Sequence, residues 1–216
     1  MLTGGSPICT PELSEIADAI LFIWYPGQEG GRAVADAIFG DVNPSGRLCI
    51  TFPKSTGQLP SFEDYSMKGR TYRYMTEEPL YPFGFGLSYT SFAYSNLTMD
   101  KLKIRKGQSV KVSATITNNG KTSGEEVAQL YITDLKTSVT TPLFSLKSMK
   151  RLQLKPGESK GVSFEVTPAM MELVIESGDK VIEPGDFKVY ISGSLPSELS
   201  QRLGAATPAS GVFNVK

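Results

Sequence analysis

A stretch of strict alternation, Val110 to Thr117, most constrains the fold of this chain. Apolar and polar side chains that alternate at a period of two line opposite faces of a strand, so the stretch predicts a β-strand with one buried face. An Asn-Asn-Gly turn follows it, and later short apolar runs are separated by Pro-Gly turns. These later runs are residues 127–132, 149–154, 161–166 and 187–191. Together they predict an all-β sandwich over residues 91–216.

Cysteine and histidine usage narrows both the fold and the chemistry. Cys9 and Cys49 lie outside residues 91–216, so the inter-sheet disulfide of antibody domains is absent and a fibronectin type III-like, immunoglobulin-like sandwich is favoured. We expect both thiols to be buried. The chain has no histidine, which excludes Ser-His-Asp and Cys-His centres, and His-ligated metal sites, formed by this chain. We therefore expect no metal and no cofactor.

Residues 1–53 have the pattern of an α/β fragment. Ala19 to Trp24 is a continuous apolar run, typical of a strand buried on both faces. Apolar residues at helical spacing predict a helix from Arg32 to Phe39. A short helix is predicted from Pro11 to Ala17, because the residue before it, a threonine, suits an N-cap and proline suits the first helical position. A last short strand is predicted from Leu48 to Phe52.

Residues 54–90 differ from both neighbours. Prolines and glycines interrupt every run, so no long helix or strand is predicted. Tyrosine and phenylalanine are nevertheless frequent, whereas disordered linkers contain few aromatic residues. We predict an ordered, extended connector that packs on its neighbours.

The junction between the predicted strand and helix carries the main candidate site. Trp24-Tyr-Pro-Gly-Gln-Glu-Gly-Gly31 lies where open α/β sheets bind ligands, beyond the carboxyl end of a strand. It lacks the glycine spacing of dinucleotide sites and the Lys-Ser/Thr of phosphate loops. In one interpretation Gln28 or Glu29 caps the helix. In the other, Trp24 or Tyr25 stacks on a sugar ring and Gln28 or Glu29 accepts hydrogen bonds from its hydroxyls.

Charged clusters give weaker indications. Glu77-Glu78 and Glu125-Glu126 are adjacent carboxylates, and we expect both pairs to be solvated surface. Residues 68–74 mix cations with aromatic rings, and packing with arginine–aromatic stacking is favoured over nucleic-acid binding. The formal net charge is zero, so no field would gather nucleic acid or an anionic membrane.

The ordered motifs of the chain resemble family 3 glycoside hydrolases of the β-glucosidase type. Each motif alone is modestly specific, but the full series in order is strongly specific and covers nearly the whole chain. The motifs are Trp24-Tyr-Pro-Gly-Gln-Glu-Gly-Gly, Ala37-Ile-Phe-Gly-Asp-Val-Asn-Pro-Ser-Gly-Arg-Leu, Thr51-Phe-Pro-Lys-Ser, Gly69-Arg-Thr-Tyr-Arg-Tyr, Leu80-Tyr-Pro-Phe-Gly-Phe-Gly-Leu-Ser-Tyr-Thr, Thr117-Asn-Asn-Gly, Glu126-Val-Ala-Gln-Leu-Tyr, Leu154-Lys-Pro-Gly-Glu-Ser and Glu183-Pro-Gly-Asp-Phe.

The resemblance implies the C-terminal portion of a retaining β-glycosidase: the end of an α/β sandwich domain (1–53), the connector (54–90) and a fibronectin type III-like domain (91–216). In such enzymes an upstream barrel carries the aspartate nucleophile, and an earlier loop carries the glutamate acid/base. Neither motif occurs here, so the resemblance implies no catalytic residue in this chain. It implies substrate-binding roles for Trp24, Tyr25, Gln28 and Glu29 on the turn, and for Tyr72 and Arg73 at the pocket rim.

The partners implied by the resemblance are the upstream barrel and α/β domains of the same enzyme and a β-glycoside or oligosaccharide substrate. A homo-oligomer stays open. The alternative is a non-catalytic interaction or carbohydrate-binding module. The first residues have no basic and apolar segments of a signal peptide, and no apolar run reaches the ~20 residues that span a bilayer. We therefore expect a soluble chain whose compartment the sequence does not indicate.

Overall fold

The computed structural model describes residues 1–216 and contains ten strands and five α-helices. The strands are β1 (Phe92–Met99), β2 (Lys103–Ile104), β3 (Val110–Asn118), β4 (Gly124–Asp134), β5 (Ser145–Leu154), β6 (Ser159–Val166), β7 (Leu173–Val174), β8 (Lys180–Val181), β9 (Gly185–Ser192) and β10 (Ala209–Val215). The helices are α1 (Pro11–Ile16), α2 (Gly30–Phe39), α3 (Thr71–Tyr74), α4 (Pro168–Met171) and α5 (Glu198–Arg202), with a 3₁₀ turn at Thr56–Gln58.

Two sheets form the sandwich. One has the order β1-β3-β6, and the other has the order β2-β10-β9-β4-β5. All pairs are antiparallel except the short parallel pairing of β2 with β10. A separate hairpin joins β7 to β8. The predicted α/β fragment followed by an all-β sandwich is confirmed, and β1 and β10 are the long strands that the sequence pattern did not indicate.

The alternation in β3 sets the register of the sandwich. Val110, Val112, Ala114 and Ile116 are all at most 3% exposed, while the residues between them face outward. Because side chains alternate across a strand, a shift of one residue would bring polar side chains into the core. The core is one cluster of 18 buried apolar residues drawn from both sheets. It therefore lies entirely within residues 91–216.

Strand β4 is buried on both faces. Ala128, Leu130 and Ile132 face the core, whereas Gln129 and Tyr131 are buried on the outer face. The connector covers that outer face: the Gln129 amide donates to the carbonyl of Gly84 at 3.1 Å. Gly84 has φ 73°, and a Cβ there would collide with Gln129 and Tyr131. The predicted packing of the connector on the sandwich is thus present, and glycine is required where the connector backbone lies against the Gln129 and Tyr131 side chains.

Residues 1–53 form the two predicted helices but not the predicted strands. Ala19 to Trp24 makes one parallel bridge, between Phe22 and Leu2, and the run is at most partly buried. Leu48 to Phe52 also makes a single bridge, from Phe52 to Tyr81. The expected doubly buried strand is wrong for this chain, because a strand needs paired neighbours on both edges and helices on both faces to become buried. Neither the run at residues 19–24 nor the run at residues 48–52 has such neighbours in this chain.

Two smaller expectations also fail. Thr10 occupies the N-cap position of α1, but its side chain makes no capping hydrogen bond. Cys49 is exposed and Cys9 is only partly buried, so the expectation of two buried thiols is wrong. The missing cap and the accessible thiols both lie in residues 1–53, where most side chains are exposed or only partly buried. None of the helices combines the length and the apolar character that a membrane span requires.

Candidate functional site

The candidate turn, residues 24–31, is held at its start by Trp24. Its ring packs edge-on against Phe22, with 4.7 Å between ring centroids, and against Phe52 at 6.4 Å. The Trp24 carbonyl accepts from the Gly4 amide at 3.3 Å and from the Thr3 hydroxyl. The backbone at Trp24 has φ 54°, the left-handed region that non-glycine residues rarely adopt. Such a conformation costs on the order of 1–3 kcal/mol and is enriched at ligand sites.

The rest of the turn is open to solvent. Tyr25 is 78% exposed, and Gln28 and Glu29 are also exposed. Glu29 occupies the N-cap position of α2, but its side chain makes no capping bond. The capping interpretation therefore finds no support in the geometry. One ring, one amide and one carboxylate remain free on the same turn, next to the uncapped helix N-terminus.

Tyr72 and Arg73 lie in α3, away from this turn along the connector. The Tyr72 ring stacks on Phe83, with centroids 4.2 Å apart, and meets Tyr131 of β4 edge-on at 6.3 Å. Arg73 is exposed, and its carbonyl accepts from the Leu143 amide at 2.7 Å. Arg70, in turn, donates to the carbonyls of Ser61 and Asp64 instead of stacking on a ring. The expected arginine–aromatic packing of residues 68–74 is thus replaced by ring–ring stacking and carbonyl contacts.

A cleft of about 220 Å³ opens where the connector crosses the sandwich. Its walls come from Thr51 at the end of the first region, from the connector, including Tyr72 and Met75, and from sandwich loops, including Phe144 and Leu195. The Thr51 hydroxyl oxygen is buried without a hydrogen-bond partner. Buried hydroxyls nearly always have a partner, so this one is unusual.

Carboxylates and cations stand at the rim of this cleft. Glu78 accepts from Lys54 Nζ at 3.2 Å and from the Arg202 guanidinium. These hydrogen bonds, first from Arg202 and then from Lys54, lower the pKa of Glu78. Its neighbour Glu77 accepts from the Gln58 amide at 3.3 Å. Both glutamates are exposed, as expected from the sequence.

Glu126 was expected from the sequence to be solvated, but the structure buries it. It is 2% exposed, and its Oε2 accepts from Arg47 Nη2 at 2.9 Å. Tyr94 donates to its Oε1 at 2.9 Å, and Arg47 Nε donates to the Gly193 carbonyl at 3.0 Å. Glu125, in contrast, pairs with Arg151 at the surface. The expectation of solvation is therefore wrong for Glu126, because its side chain lies on the same face of β4 as Ala128 and is covered there by Arg47 and by Tyr94 of the opposite sheet.

This buried pair links residues 1–53 to the sandwich. Burial and proximity to the Glu126 carboxylate raise the pKa of the Tyr94 hydroxyl well above its usual range. The only sequence indication was that the alternate residues that follow Glu126 along the strand, at positions 128, 130 and 132, are all apolar. Asn43 adds a second link, donating to the Ser123 carbonyl at 3.0 Å.

The structure therefore distributes the six predicted site residues over two places. Trp24, Tyr25, Gln28 and Glu29 share the turn before α2, whereas Tyr72 and Arg73 lie at the connector–sandwich junction. No group of three or more acidic, cysteine or histidine side chains has the arrangement of a metal site.

Comparison with known proteins identifies the domains. Residues 1–89 match the Glycosyl hydrolase family 3 C-terminal domain, and residues 126–195 match the fibronectin type III-like domain. A periplasmic beta-glucosidase of Salmonella typhimurium is 40% identical over 203 residues, which are 88% of this chain and 26% of that protein. A beta-xylosidase of Formosa agariphila is 41% identical over 199 residues, 90% of this chain and 28% of that protein.

A solved structure gives the same result for the fold. Beta-glucosidase 3B from Thermotoga neapolitana, in complex with glucose, superposes with a TM-score of 0.84 at 32% identity, over 97% of this chain and 30% of that one. The chain thus spans about a quarter of the length of the relatives that it matches. Its sequence motifs, its fold and these matches agree: the chain belongs to glycoside hydrolase family 3, and it matches the C-terminal domain and the fibronectin type III-like domain of that family.

Proposed function

We propose that this chain is the closing part of a retaining glycosidase that hydrolyses terminal β-linked sugars. It supports the active site and the stability of the enzyme, while the nucleophile and the acid/base belong to upstream barrel and α/β domains. In this proposal residues 1–53 end the α/β domain, residues 54–90 connect, and residues 91–216 form the sandwich. The similarity to a beta-glucosidase and a beta-xylosidase supports a glucoside or xyloside as the substrate.

One observation carries the proposal: the turn at residues 24–31 is anchored at one end and unpartnered at the other. The Trp24 ring and carbonyl are fixed, whereas the side chains of Tyr25, Gln28 and Glu29 have no hydrogen-bond or stacking partner within the chain. An aromatic face beside an amide and a carboxylate suits a sugar, which offers both an apolar ring face and hydroxyl donors. Trp24 positions the turn, and the other three contact the substrate. Tyr72 and Arg73 support the rim from the connector.

Residues 1–53 also present apolar surface that this chain does not cover. Ile16 is 77% exposed, and Phe39 of α2 is 83% exposed. Together with the strand segments that make single bridges, this surface supports packing against the earlier part of an α/β domain.

A chimera tests the proposal. The matching C-terminal region of the Salmonella beta-glucosidase is replaced by this chain, and turnover of p-nitrophenyl β-glucoside and β-xyloside is measured. We expect the chimera to be active and the isolated chain to be inactive. In the chimera, Glu29→Gln should lower kcat/KM by about 10- to 100-fold, the range for losing a hydrogen bond to a charged group.

The matched control is Glu12→Gln, which changes another exposed glutamate, in α1, and should leave kcat/KM unchanged. Turnover by the isolated chain would disprove the absence of catalytic groups. A folded but inactive chimera would contradict the supporting role. The exposed Tyr25 ring also fits the alternative of a carbohydrate-binding module, and saturable cellobiose binding by the isolated chain that Tyr25→Ala abolishes would favour it.

A further inference from the structure

The cleft between the connector and the sandwich has features that neither the family assignment nor the proposed active-site support explains. It has a volume of about 220 Å³, below the roughly 300–1,000 Å³ typical of sites for drug-sized ligands. That size suits a single small ring and excludes an oligosaccharide. Its lining combines aromatic and aliphatic side chains with carboxylates, an arginine and hydroxyls.

We infer that this cleft binds one neutral, hydroxyl-rich ring, such as a monosaccharide. Phe144 and Tyr72 supply aromatic surface, since both line the cleft and both are only partly buried. Glu77 and Glu198 stand at the rim as acceptors, and Arg202 supplies donors. Acceptors and donors together around an apolar wall match a molecule that offers hydroxyls at its edge and C–H groups on its face.

The charges at the rim decide against an anion. Glu77, Glu78 and Glu198 line the cleft, and the cation among the lining residues is Arg202, which is already paired with Glu78. An anionic ligand would meet two further carboxylates without a free cation. A neutral ligand avoids this repulsion, because carboxylates accept from its hydroxyls.

Thr51 is one of the residues that line the cleft. Its side-chain oxygen is buried and has no hydrogen-bond partner, although the residue lines the cleft. A rotation of χ1 to another staggered rotamer moves Oγ1 out of its buried position and breaks no hydrogen bond, because none is formed. In that rotamer a ligand in the cleft supplies the partner that the folded chain lacks. Without ligand, the orphaned hydroxyl only destabilises the fold.

If a ligand bonds to the Thr51 hydroxyl, the Thr51→Val variant should change stability and ligand affinity in opposite directions, which the loss of a purely structural residue would not do. Valine keeps the shape and removes the hydroxyl, so the variant should melt at a higher temperature than the parent chain and yet bind the ligand more weakly. Thr140→Val is the matched control, since Thr140 lines a different, shallow surface depression formed with residues 174–176. It should leave binding unchanged.

Titration of the isotope-labelled chain, followed by amide NMR shifts, tests the inference. Glucose and xylose are the probes, a choice that rests on the proposed function, with glucuronate and glucosamine as charged counterparts. We expect saturable shifts around residues 51, 72, 144 and 195, with glucuronate at least fivefold weaker than glucose. Thr51→Val should weaken glucose binding at least fivefold, and Thr140→Val should not.

Three results would overturn the inference. These are the absence of saturable shifts at 100-fold excess over the protein, shifts confined to the turn at residues 24–31, and a preference for glucosamine with no binding of glucose. The chimera assay is independent of all three. An active chimera with no binding at the cleft would remove this inference and leave the proposed function standing, and cleft binding with an inactive chimera would do the reverse.

Discussion

The sandwich and the first 90 residues differ in how they bury apolar surface. Only five of the 34 buried residues lie in residues 1–90, and all 18 residues of the core cluster lie in the sandwich. Strand β3 alternates and covers its apolar face with the opposite sheet of the same domain. The apolar run at Ala19 to Trp24 is just as hydrophobic, yet it reaches only partial burial.

Hydrophobic content therefore does not determine burial without a layer that covers it. A period of two requires one covering layer, which the sandwich supplies from nearby sequence. A continuous apolar run requires a layer on each face and a paired strand on each edge. The two regions meet at the Arg47–Glu126 pair, so the strength of that contact decides how far they behave as one folding unit.

The largest expected effect is at this contact. Glu126→Gln leaves the Arg47 guanidinium buried without its carboxylate, which should lower the free energy of unfolding by about 3–5 kcal/mol. Glu125→Gln removes the exposed ion pair with Arg151 and should cost at most about 1 kcal/mol. Urea denaturation followed by circular dichroism measures both. Equal losses for the two variants would mean that the Arg47–Glu126 pair does not hold the regions together.

A pair of isoleucine variants compares the two regions directly. Ile116→Ala empties a fully buried position in β3 and should cost about 2–5 kcal/mol through lost burial and a cavity. Ile38→Ala changes a side chain in α2 that is 59% exposed, so it should fall within about 0.5 kcal/mol of the parent chain. Urea midpoints at constant slope check both. A large loss for Ile38→Ala would show that α2 is covered in solution.

Alkaline pH separates buried from exposed tyrosines. Burial raises the pKa of Tyr131, and burial together with the Glu126 carboxylate raises that of Tyr94. Both are protonated in the folded and unfolded states below pH ~10, so their contribution is then complete. Above it only the unfolded chain loses these protons, and stability should fall by about 1.4 kcal/mol per pH unit for each tyrosine.

Tyr131→Phe should therefore remove about 1.4 kcal/mol per pH unit from the slope above pH 10. Tyr65→Phe, at a side chain that is 90% exposed, should not change the slope. Unfolding free energies at pH 8, 10 and 11 measure the effect. An unchanged slope in Tyr131→Phe would mean that the outer face of β4 is open to solvent.

The smallest expected effect is at the exposed end of α2. Phe39→Ser should change the free energy of unfolding by no more than about 0.5 kcal/mol, because the ring is 83% exposed. In the chimera the same change should destabilise by about 2 kcal/mol or more, because the proposed upstream layer covers the ring there. Thermal melts of both backgrounds give the comparison. Equal effects in the two backgrounds would argue against a covering layer.

Much of the fold follows from local pattern. The predicted helices at residues 11–17 and 32–39 form within one or two residues, and the five predicted strands of the sandwich form and extend at their ends. Strand β1 was not indicated, because its pattern is broken by a register shift between Ser95 and Thr98 and by Asn96 at φ 51°. The predicted strands of residues 1–53 were lost because their pairing partners are not supplied by this chain.

The candidate site was less predictable than the fold. Grouping Trp24, Tyr25, Gln28 and Glu29 needed only their proximity along one turn. Joining Thr51, Tyr72 and Phe144 in one cleft needed three segments that meet only in the folded chain. Spacing along the sequence carries no information about such a meeting, so the cleft could not be predicted.

The order of the regions, the register of β3 and the family could be read from the sequence, because periodicity and ordered motifs are local properties. Which of two adjacent glutamates is buried became clear only in the folded chain. Glu125 and Glu126 are chemically identical, but side chains on a strand alternate. Glu126 therefore lies on the core-facing side of β4 and pairs with Arg47, whereas Glu125 lies on the other face and pairs with Arg151 at the surface. Burial of a charge depends on what the fold places over it, and that is a property of the whole molecule.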